Sequence, residues 1–308
     1  MSRTVIAGLD GSAESLAAAE WAAREARLRG LPLKLLHALE DWAPDYSSAP
    51  LIGTIAAPVA YTPKYWAERI PREMSERLRE RHPGLEISTE QAAGRPVEVL
   101  QAAAKEAEVL VLGSRGLSTL TGFLIGSVSM SVLAHAERPV VLVRAGERAE
   151  DEHLPTPGGS GQQRHAYRDV VLGLDIARPC DEVIEYAFDA AAARGADLRI
   201  VHGWSLLPVF GYDPAAIDPV HNAELATRES AALTNVLGPW RSKFPGVRVE
   251  EQCVVGRAAD HLADASTDAS LVVIGRRRRR AAAGAHLGPV AHAVLHHAIA
   301  PVAVVSHQ

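Results

Sequence analysis

The residues best suited to chemistry lie in a glycine-rich stretch near the middle of the chain. It reads Gly113-Ser114-Arg115-Gly116, then nine residues, then Gly126-Ser127-Val128-Ser129. Glycines let backbone amides approach an anion without interference from a Cβ. Gly126-Ser127 opens a helix, whose first amides are unpaired and whose dipole favours negative charge. Ser127 and Ser129 add hydroxyl donors. Together these groups form a cradle suited to a di- or triphosphate. A second candidate, Asp10, stands with Gly8 at the end of the opening apolar run, where it either meets a ligand or caps the next helix. The pattern is not a P-loop, because G-x4-GK[ST] is absent from the chain. Nor is it the dinucleotide fingerprint, which follows a first strand, whereas these glycines follow a fourth. Gly159-Ser160-Gly161 fails as well, with no strand before it and no helix after it.

The elements that must position these residues occur twice. Val5-Ile6-Ala7-Gly8-Leu9-Asp10 recurs as Val170-Val171-Leu172-Gly173-Leu174-Asp175, and Leu35-Leu36-His37 recurs as Ile200-Val201-His202, both at an offset of 165. Ala93-Gly94-Arg95, Val109–Gly113 and Arg138-Pro139-Val140 recur as Val255-Gly256-Arg257, Leu271–Gly275 and Ala300-Pro301-Val302 at an offset of 162. Constant offsets across separate matches mark a tandem duplication. Residues 146–166, rich in Gly, Pro and charge without apolar period, read as a flexible linker between domains at 1–145 and 167–308.

Within the first copy, strands are expected at Arg3–Leu9, Leu33–Ala38, Leu85–Gln91, Glu108–Leu112 and Pro139–Val143. Ser12 is placed to N-cap a helix carrying Leu16, Ala19, Ala23 and Ala26 on one face, which Gly30-Leu31-Pro32 ends. Helices are expected at Lys64–Arg81, at Val97–Glu106 behind Pro96, and near Ser127–Ala136. Trp42–Pro63, with four prolines, reads as a long loop of the kind that forms lids. Unbroken Val, Leu and Ile runs suit strands covered on both faces. The expected fold class is therefore α/β: two tandem copies of an open five-stranded parallel sheet with helices on both faces. In such sheets ligands bind at the carboxyl ends of strands, where strand order reverses. That places the site at the turns after strands one and four.

Composition narrows the function classes. Lys and Arg number 32 against 37 acids in 308 residues, a net charge of −5 that offers no excess for a nucleic-acid backbone. Aromatics, at 5%, are too few for stacking platforms on single strands. No apolar run reaches the roughly 18 residues of a membrane span. Asp10 interrupts the opening run before a signal-peptide core develops. Cys180 and Cys253 are too few for a disulfide framework, so reduced thiols in a cytoplasmic protein are expected.

At these residues the chain resembles the universal stress protein family. The family signature G-x2-G-x9-G-[ST] is matched by Gly113, Gly116, Gly126 and Ser127, and Asp10, His37 and the Pro139 strand follow in the family's order. The resemblance covers nearly the whole chain as two copies, like the tandem members. It implies ATP binding, with Gly113, Ser114, Arg115, Gly116, Gly126, Ser127, Val128 and Ser129 around phosphates and ribose and with Gly8, Asp10 and Ala38 toward the adenosine. It further implies ATP with or without Mg²⁺, an internal pseudo-dimer through the fifth strands, and a homodimer of whole chains as a further arrangement. The expected function is an ATP-binding stress-response or regulatory protein, with nucleotide acting as a conformational or partner switch on an unknown regulatory protein. A slow ATPase or nucleotide-transfer enzyme and a ligand-free scaffold are the alternatives. Enzymatic function is not expected, because no Walker lysine, second carboxylate cluster or base accompanies the loop.

The second copy departs from the signature. Gly173, Asp175, Gly275 and Gly288 remain, but Arg278 replaces the middle glycine, Pro289 the hydroxyl residue and Ala291 the second serine. A weaker or altered site is expected there, with Gly173, Asp175, Gly275, Arg276 and Gly288 as its remaining groups. Arg276–Arg280 is either a solvated loop or a polyanion site whose forked donors stand in for lost amides. His286, His292, His296 and His297 crowd the last helical region without a completing carboxylate, so surface or structural histidines are expected rather than zinc ligands. The repeated positions of His37 and His202 favour a packing or hydrogen-bond role over catalysis. Trp42 and Tyr61 are left between closing over a base and packing at a domain edge.

Overall fold

The computed structural model describes residues 3–39, 63–114, 125–155, 166–204, 219–278 and 287–308. The expected lid at 42–62 with Trp42 and Tyr61, Arg115 and Gly116, Arg279 and Arg280, and His286 lie outside the described residues. The chain divides into two compact units, Met1–Gly146 and Glu147–Gln308.

In the first unit, β1 (Val5–Leu9), β2 (Leu33–Leu39), β3 (Ile87–Ala93), β4 (Val109–Ser114) and β5 (Val140–Arg144) alternate with α1 (Ala13–Arg29), α2 (Pro63–Arg81), α3 (Pro96–Glu106) and α4 (Ser127–His135). Its sheet order is β3-β2-β1-β4-β5, with parallel pairing throughout. The second unit repeats the plan with β6 (Asp169–Gly173), β7 (Leu198–Trp204), β8 (Val249–Val255), β9 (Ala269–Arg277) and β10 (Val302–His307), and with α5 (Asp181–Arg194), α6 (Pro219–Lys243), α7 (Ala258–Ala265) and α8 (Pro289–His297). Its order is β8-β7-β6-β9-β10, again parallel. Right-handed crossovers that run one way from β1 to β3 and back from β3 to β5 put α1 and α2 on one face and α3 and α4 on the other. Contacts of α1 with α2 and of α3 with α4 agree.

The apolar runs become the central strands. Every residue of β1 is buried, as are Val109–Leu112 of β4 and Val140–Val143 of β5. The edge strand β3 is instead polar and mostly exposed, because among the described residues it pairs on one side alone, with β2. Helix α1 starts where Ser12 Oγ accepts the Ser15 amide at 3.2 Å. It ends at Gly30, whose φ of 63° is a left-handed cap, and Gly195 repeats that cap after α5 at 61°. Trp21, Leu33, Leu35 and Leu110 in the first core and Phe188, Leu172, Ile200 and Leu198 in the second are fully buried.

The structure corrects two sequence expectations. Part of the segment read as flexible linker is ordered: Ala149–Glu152 form a 3₁₀ turn in which the Arg148 amide donates to Asp151 Oδ2 at 3.0 Å. The Leu154 amide donates to the Ala166 carbonyl at 2.9 Å and the Arg168 amide to the Glu152 carbonyl at 2.8 Å, so the two ends of the segment pair with each other on the second unit. The arginine run is the other difference. Arg276 and Arg277 continue β9 in register with Ser306 and His307, and the Arg278 amide donates to the His307 carbonyl at 2.7 Å. Pairing with β10, distant in sequence, holds extended what the local charge pattern presents as a loop. Among the described residues, no helix is long and apolar enough to cross a membrane.

Candidate functional site

In each unit strand order reverses between the first and fourth strands, so the carboxyl ends of β1 and β4, or of β6 and β9, form the crevice where ligands enter such sheets. In the first unit the turn after β1 is short. One Asp10 carboxylate oxygen accepts the Ser12 amide at 2.9 Å and the Ser12 hydroxyl at 2.5 Å, while the Asp10 amide donates to Ser15 Oγ at 3.3 Å. Partial burial raises the Asp10 pKa, but the hydrogen bonds from Ser12 and Ser15 outweigh it and hold the carboxyl below the usual aspartate value. Because the turn is short, the first turn of α1 lies directly over the end of β4. A Cβ on Gly113 would stand 2.6 Å from the Glu14 carbonyl carbon and 2.7 Å from the Ser15 amide nitrogen. Helix α4 is fastened to the same strand end by Ser129, whose buried hydroxyl donates to the Gly113 carbonyl at 3.0 Å. Gly126 is the N-cap of α4 in an extended conformation, and among the described residues no side chain caps that helix. Among the described residues the α4 amides thus open beside β4 without a side-chain partner at the cap, an arrangement that favours an anion.

The same end of the second unit is built differently. Helix α5 starts only at Asp181, so the turn after β6 runs from Leu174 through Cys180, and α5 has 14 residues against 17 in α1. Asp175 accepts the Ala177 amide at 3.0 Å, while Cys180, the N-cap of α5, makes no capping bond and donates its thiol to Glu182 at 2.9 Å. Burial first, and then Glu182, push the Cys180 thiol up to about 11. In place of helix backbone, Gly275 meets Val183 and the His307 ring, with an added Cβ 3.1 Å from His307 Nε2. A cavity of about 600 Å³ opens here. Its walls include Leu174, Val201, Leu262, Ile274 and Leu287, and its polar groups are Asp175, Arg178, Arg277, His202 and His307. Its far wall is the start of α8, where Gly288 is the N-cap and Pro289 occupies the first helical position.

One hydrogen bond is common to both sites. His37 Nδ1 lies 2.7 Å from the Leu9 carbonyl, and His202 Nδ1 lies 2.9 Å from the Leu174 carbonyl. A carbonyl only accepts, so Nδ1 carries the proton in both rings, and each histidine ties the second strand to the end of the first. The hydrogen-bond role read from the repeated position is what the structure holds. A model of the universal stress protein family matches residues 1–144 and again 166–306. The chain belongs to the universal stress protein family. A universal stress protein of Mycolicibacterium smegmatis is 31% identical over 304 residues, spanning 98% of this chain and 96% of that protein. One from Mycobacterium tuberculosis is 33% identical over 310 residues, spanning 97% and 96%. The crystal structure of a universal stress protein from Archaeoglobus fulgidus superposes over the whole of both chains with a TM-score of 0.67 at 19% identity. It supports the fold.

In the first universal stress protein unit, the structure brings Asp10, Gly113, Gly126, Ser127, Val128 and Ser129 to one end of the sheet. Gly8 sits inside β1 against Leu112 and Leu100, where a Cβ would collide at 2.7 Å, so its role there is packing. Ser114 is buried and donates to the Val143 carbonyl at 3.2 Å, which places its hydroxyl inside the sheet rather than at the crevice. Ala38 lies one residue beyond His37 in β2. In the second unit Gly173, Asp175, Gly275 and Gly288 line the cavity, and Arg276 does not. Strand alternation turns Arg276 into the protein at 5% exposure and leaves Arg277 exposed on the cavity side. Sequence reasoning missed Arg178, Cys180 and His307. The signal for the first two was Pro179, which disfavours helix at the residue before it and so moves the start of α5 three residues downstream. His307 carries no such local signal, because β10 brings it from the far end of the unit. Among the described residues no group of three or more His, Cys, Asp or Glu is placed to hold a metal ion.

Proposed function

We propose that this universal stress protein binds ATP in its first unit and that nucleotide occupancy switches its conformation or its choice of a regulatory partner protein in the cytoplasm. The observation that carries this reading is the glycine-capped N-terminus of α4, without a capping side chain among the described residues and fastened beside the end of β4 by the Ser129–Gly113 bond at 3.0 Å. Amides of Ser127, Val128 and Ser129, with the Gly113 turn, would take the phosphates, and Mg²⁺ would accompany them if the phosphates alone recruit it. The adenosine would lie toward Asp10 and Ala38. We read the unit as a binding device rather than a catalyst, since the Asp10 oxygen bound by Ser12 is already engaged in bracing the α1 cap. The fifth strands would join the two units as an internal pseudo-dimer. A homodimer of whole chains would follow the same logic.

Titration of ATP into the wild type and into Gly126→Asp tests the site. Gly126 has φ −58° and ψ 143°, and among the described residues a Cβ there meets nothing closer than Ser129 Oγ at 3.9 Å. Aspartate is a favoured N-cap, so the helix keeps its start while a carboxylate takes the anion's place. Weakening of the first-unit ATP site by about tenfold is the expected result. Unchanged ATP binding would overturn the assignment. A nucleotide-dependent change in amide exchange around α4 and β4 would support the switch, and identical exchange with and without ATP would remove it.

A further inference from the structure

His292 and His296 stand one helical turn apart on α8. The buried face of that helix is Ala291, Val294 and Leu295, continued by Ala298, each at 5% exposure or less. At about 100° per residue, His292 and His296 fall together on one flank of that face, and His297 falls on the other. The two rings meet: their centroids are 4.3 Å apart and their planes are tilted by 38°. His292 is exposed and His296 half-buried. Both lie outside the lining of the second-unit cavity, so the pair is no part of the crevice.

The pair belongs to the second copy alone. At the offset of 162, His297 answers to His135 of α4, whereas His292 and His296 answer to Met130 and Ala134. Helix α4 forms on the same plan with methionine and alanine at these places, so the helix itself does not require imidazoles there. Two imidazoles one turn apart offer nitrogen donors to a single point, the spacing by which a helical His-x3-His pair holds a metal ion. Nitrogen–metal bonds of about 2.0–2.1 Å span rings that already touch, with rotation about side-chain bonds alone. No Asp or Glu follows Asp268 in the sequence, and among the described residues no third His, Cys, Asp or Glu completes a closed set. A two-ligand chelate needs none. Imidazole suits copper, nickel and zinc, whereas magnesium takes oxygen ligands.

We propose that His292 and His296 chelate one divalent late transition-metal ion on the flank of α8, with Cu²⁺ held more tightly than Ni²⁺ or Zn²⁺. The ion joins two side chains that only the helical backbone brings together, so it stabilises α8 when bound. This site goes beyond the first-unit reading and does not depend on it. The experiment uses the full chain without a histidine tag and titrates Cu²⁺, Ni²⁺, Zn²⁺ and Mg²⁺ one at a time by calorimetry. The chain has 13 histidines, so each titration is repeated on His292→Gln, His296→Gln and His297→Gln. Melting of each variant without metal confirms the fold, since none of the three side chains belongs to the buried face.

The expected result is a tightest Cu²⁺ site of one ion per chain. Either His292→Gln or His296→Gln should weaken it by about tenfold or more, because even the outer partners of metal ligands matter that much. His297→Gln, on the other flank, should leave it unchanged, and Mg²⁺ should not compete. At less than one equivalent of Cu²⁺, electron paramagnetic resonance should show coupling to two imidazole nitrogens, which an ion held by a single surface ring does not give. Copper binding that survives His292→Gln or His296→Gln would overturn the proposal. So would an equal loss in His297→Gln, coupling to one nitrogen alone, or displacement of the copper by Mg²⁺.

Discussion

The turn after β1 and the turn after β6 descend from one repeated motif and end in the same aspartate, yet they do opposite things. Asp10 and Ser12 close the first turn in three residues, and α1 settles on Gly113 so tightly that no Cβ fits between them. The second turn spends the same length of chain as open loop, α5 starts late, and a cavity lined by Arg178 and Cys180 occupies the vacated volume. A change of three residues between helix and loop thus separates a crevice walled by helix backbone from a pocket lined by side chains.

The contrast is sharpest at the paired glycines. Gly113→Ala sets its methyl against helix backbone at 2.6 Å and should destabilise the chain by about 1–3 kcal/mol in urea denaturation. Gly275→Ala meets side chains at 3.1–3.2 Å, which can shift, and should cost clearly less. Equal costs would break the argument that α1 crowds its strand and α5 does not. Next in size is the matched pair of helix caps. Gly126→Asp should weaken ATP binding about tenfold, about 1.4 kcal/mol, while Gly288→Asp leaves first-unit binding untouched. Equal losses in calorimetric titration would mean that the two helix caps are not distinct.

Ser129→Ala removes the hydroxyl that ties α4 to Gly113 and should cost about 1 kcal/mol of stability, because it leaves a carbonyl without that donor. The second unit carries alanine at the equivalent position, so Ala291→Ser should change stability less. A smaller effect belongs to Asp10. Its folded pKa lies below the unfolded value, so its contribution is present above the usual aspartate range and disappears as pH falls through the lowered folded value. The stability difference between wild type and Asp10→Asn should therefore close on acidification through that window and stay constant above it. A difference that grows with acid would contradict the Ser12 and Ser15 hydrogen bonds. At the second turn, the Cys180 thiol, pushed up to about 11, should alkylate more slowly at neutral pH than in the unfolded chain, and Glu182→Gln should speed it.

Much of this was legible in the residues. Repeated apolar runs announced the strands, and Ser12, Gly30 and Pro96 announced helix ends, because capping and buried-strand patterns are local. The candidate glycines were visible from spacing, although the reason for Gly113 was not. Its glycine answers to the backbone of Glu14, about a hundred residues earlier in the chain. Ser114 was legible as a polar residue in the right stretch, but only pairing with β5 shows that its hydroxyl belongs to Val143. The segment around Glu152 looked like linker because its composition is charged, and the bonds that order it come from Ala166 at the segment's far end and from Arg168 just beyond it.

The sequence by itself determined that the protein is a duplicated α/β chain, the order of its strands and helices, and the end of each sheet at which a ligand would be sought. Those features rest on periodicity, capping and repetition, all of which act over a few residues or are visible as exact offsets. The tertiary structure alone decided which crevice is closed by a helix and which opens as a cavity, and that Arg277 faces the cavity while Arg276 is buried. Both outcomes depend on contacts between residues far apart in the chain, Glu14 over Gly113 and His307 beside Arg277. Their energies are set by shape and strand register rather than by local propensity.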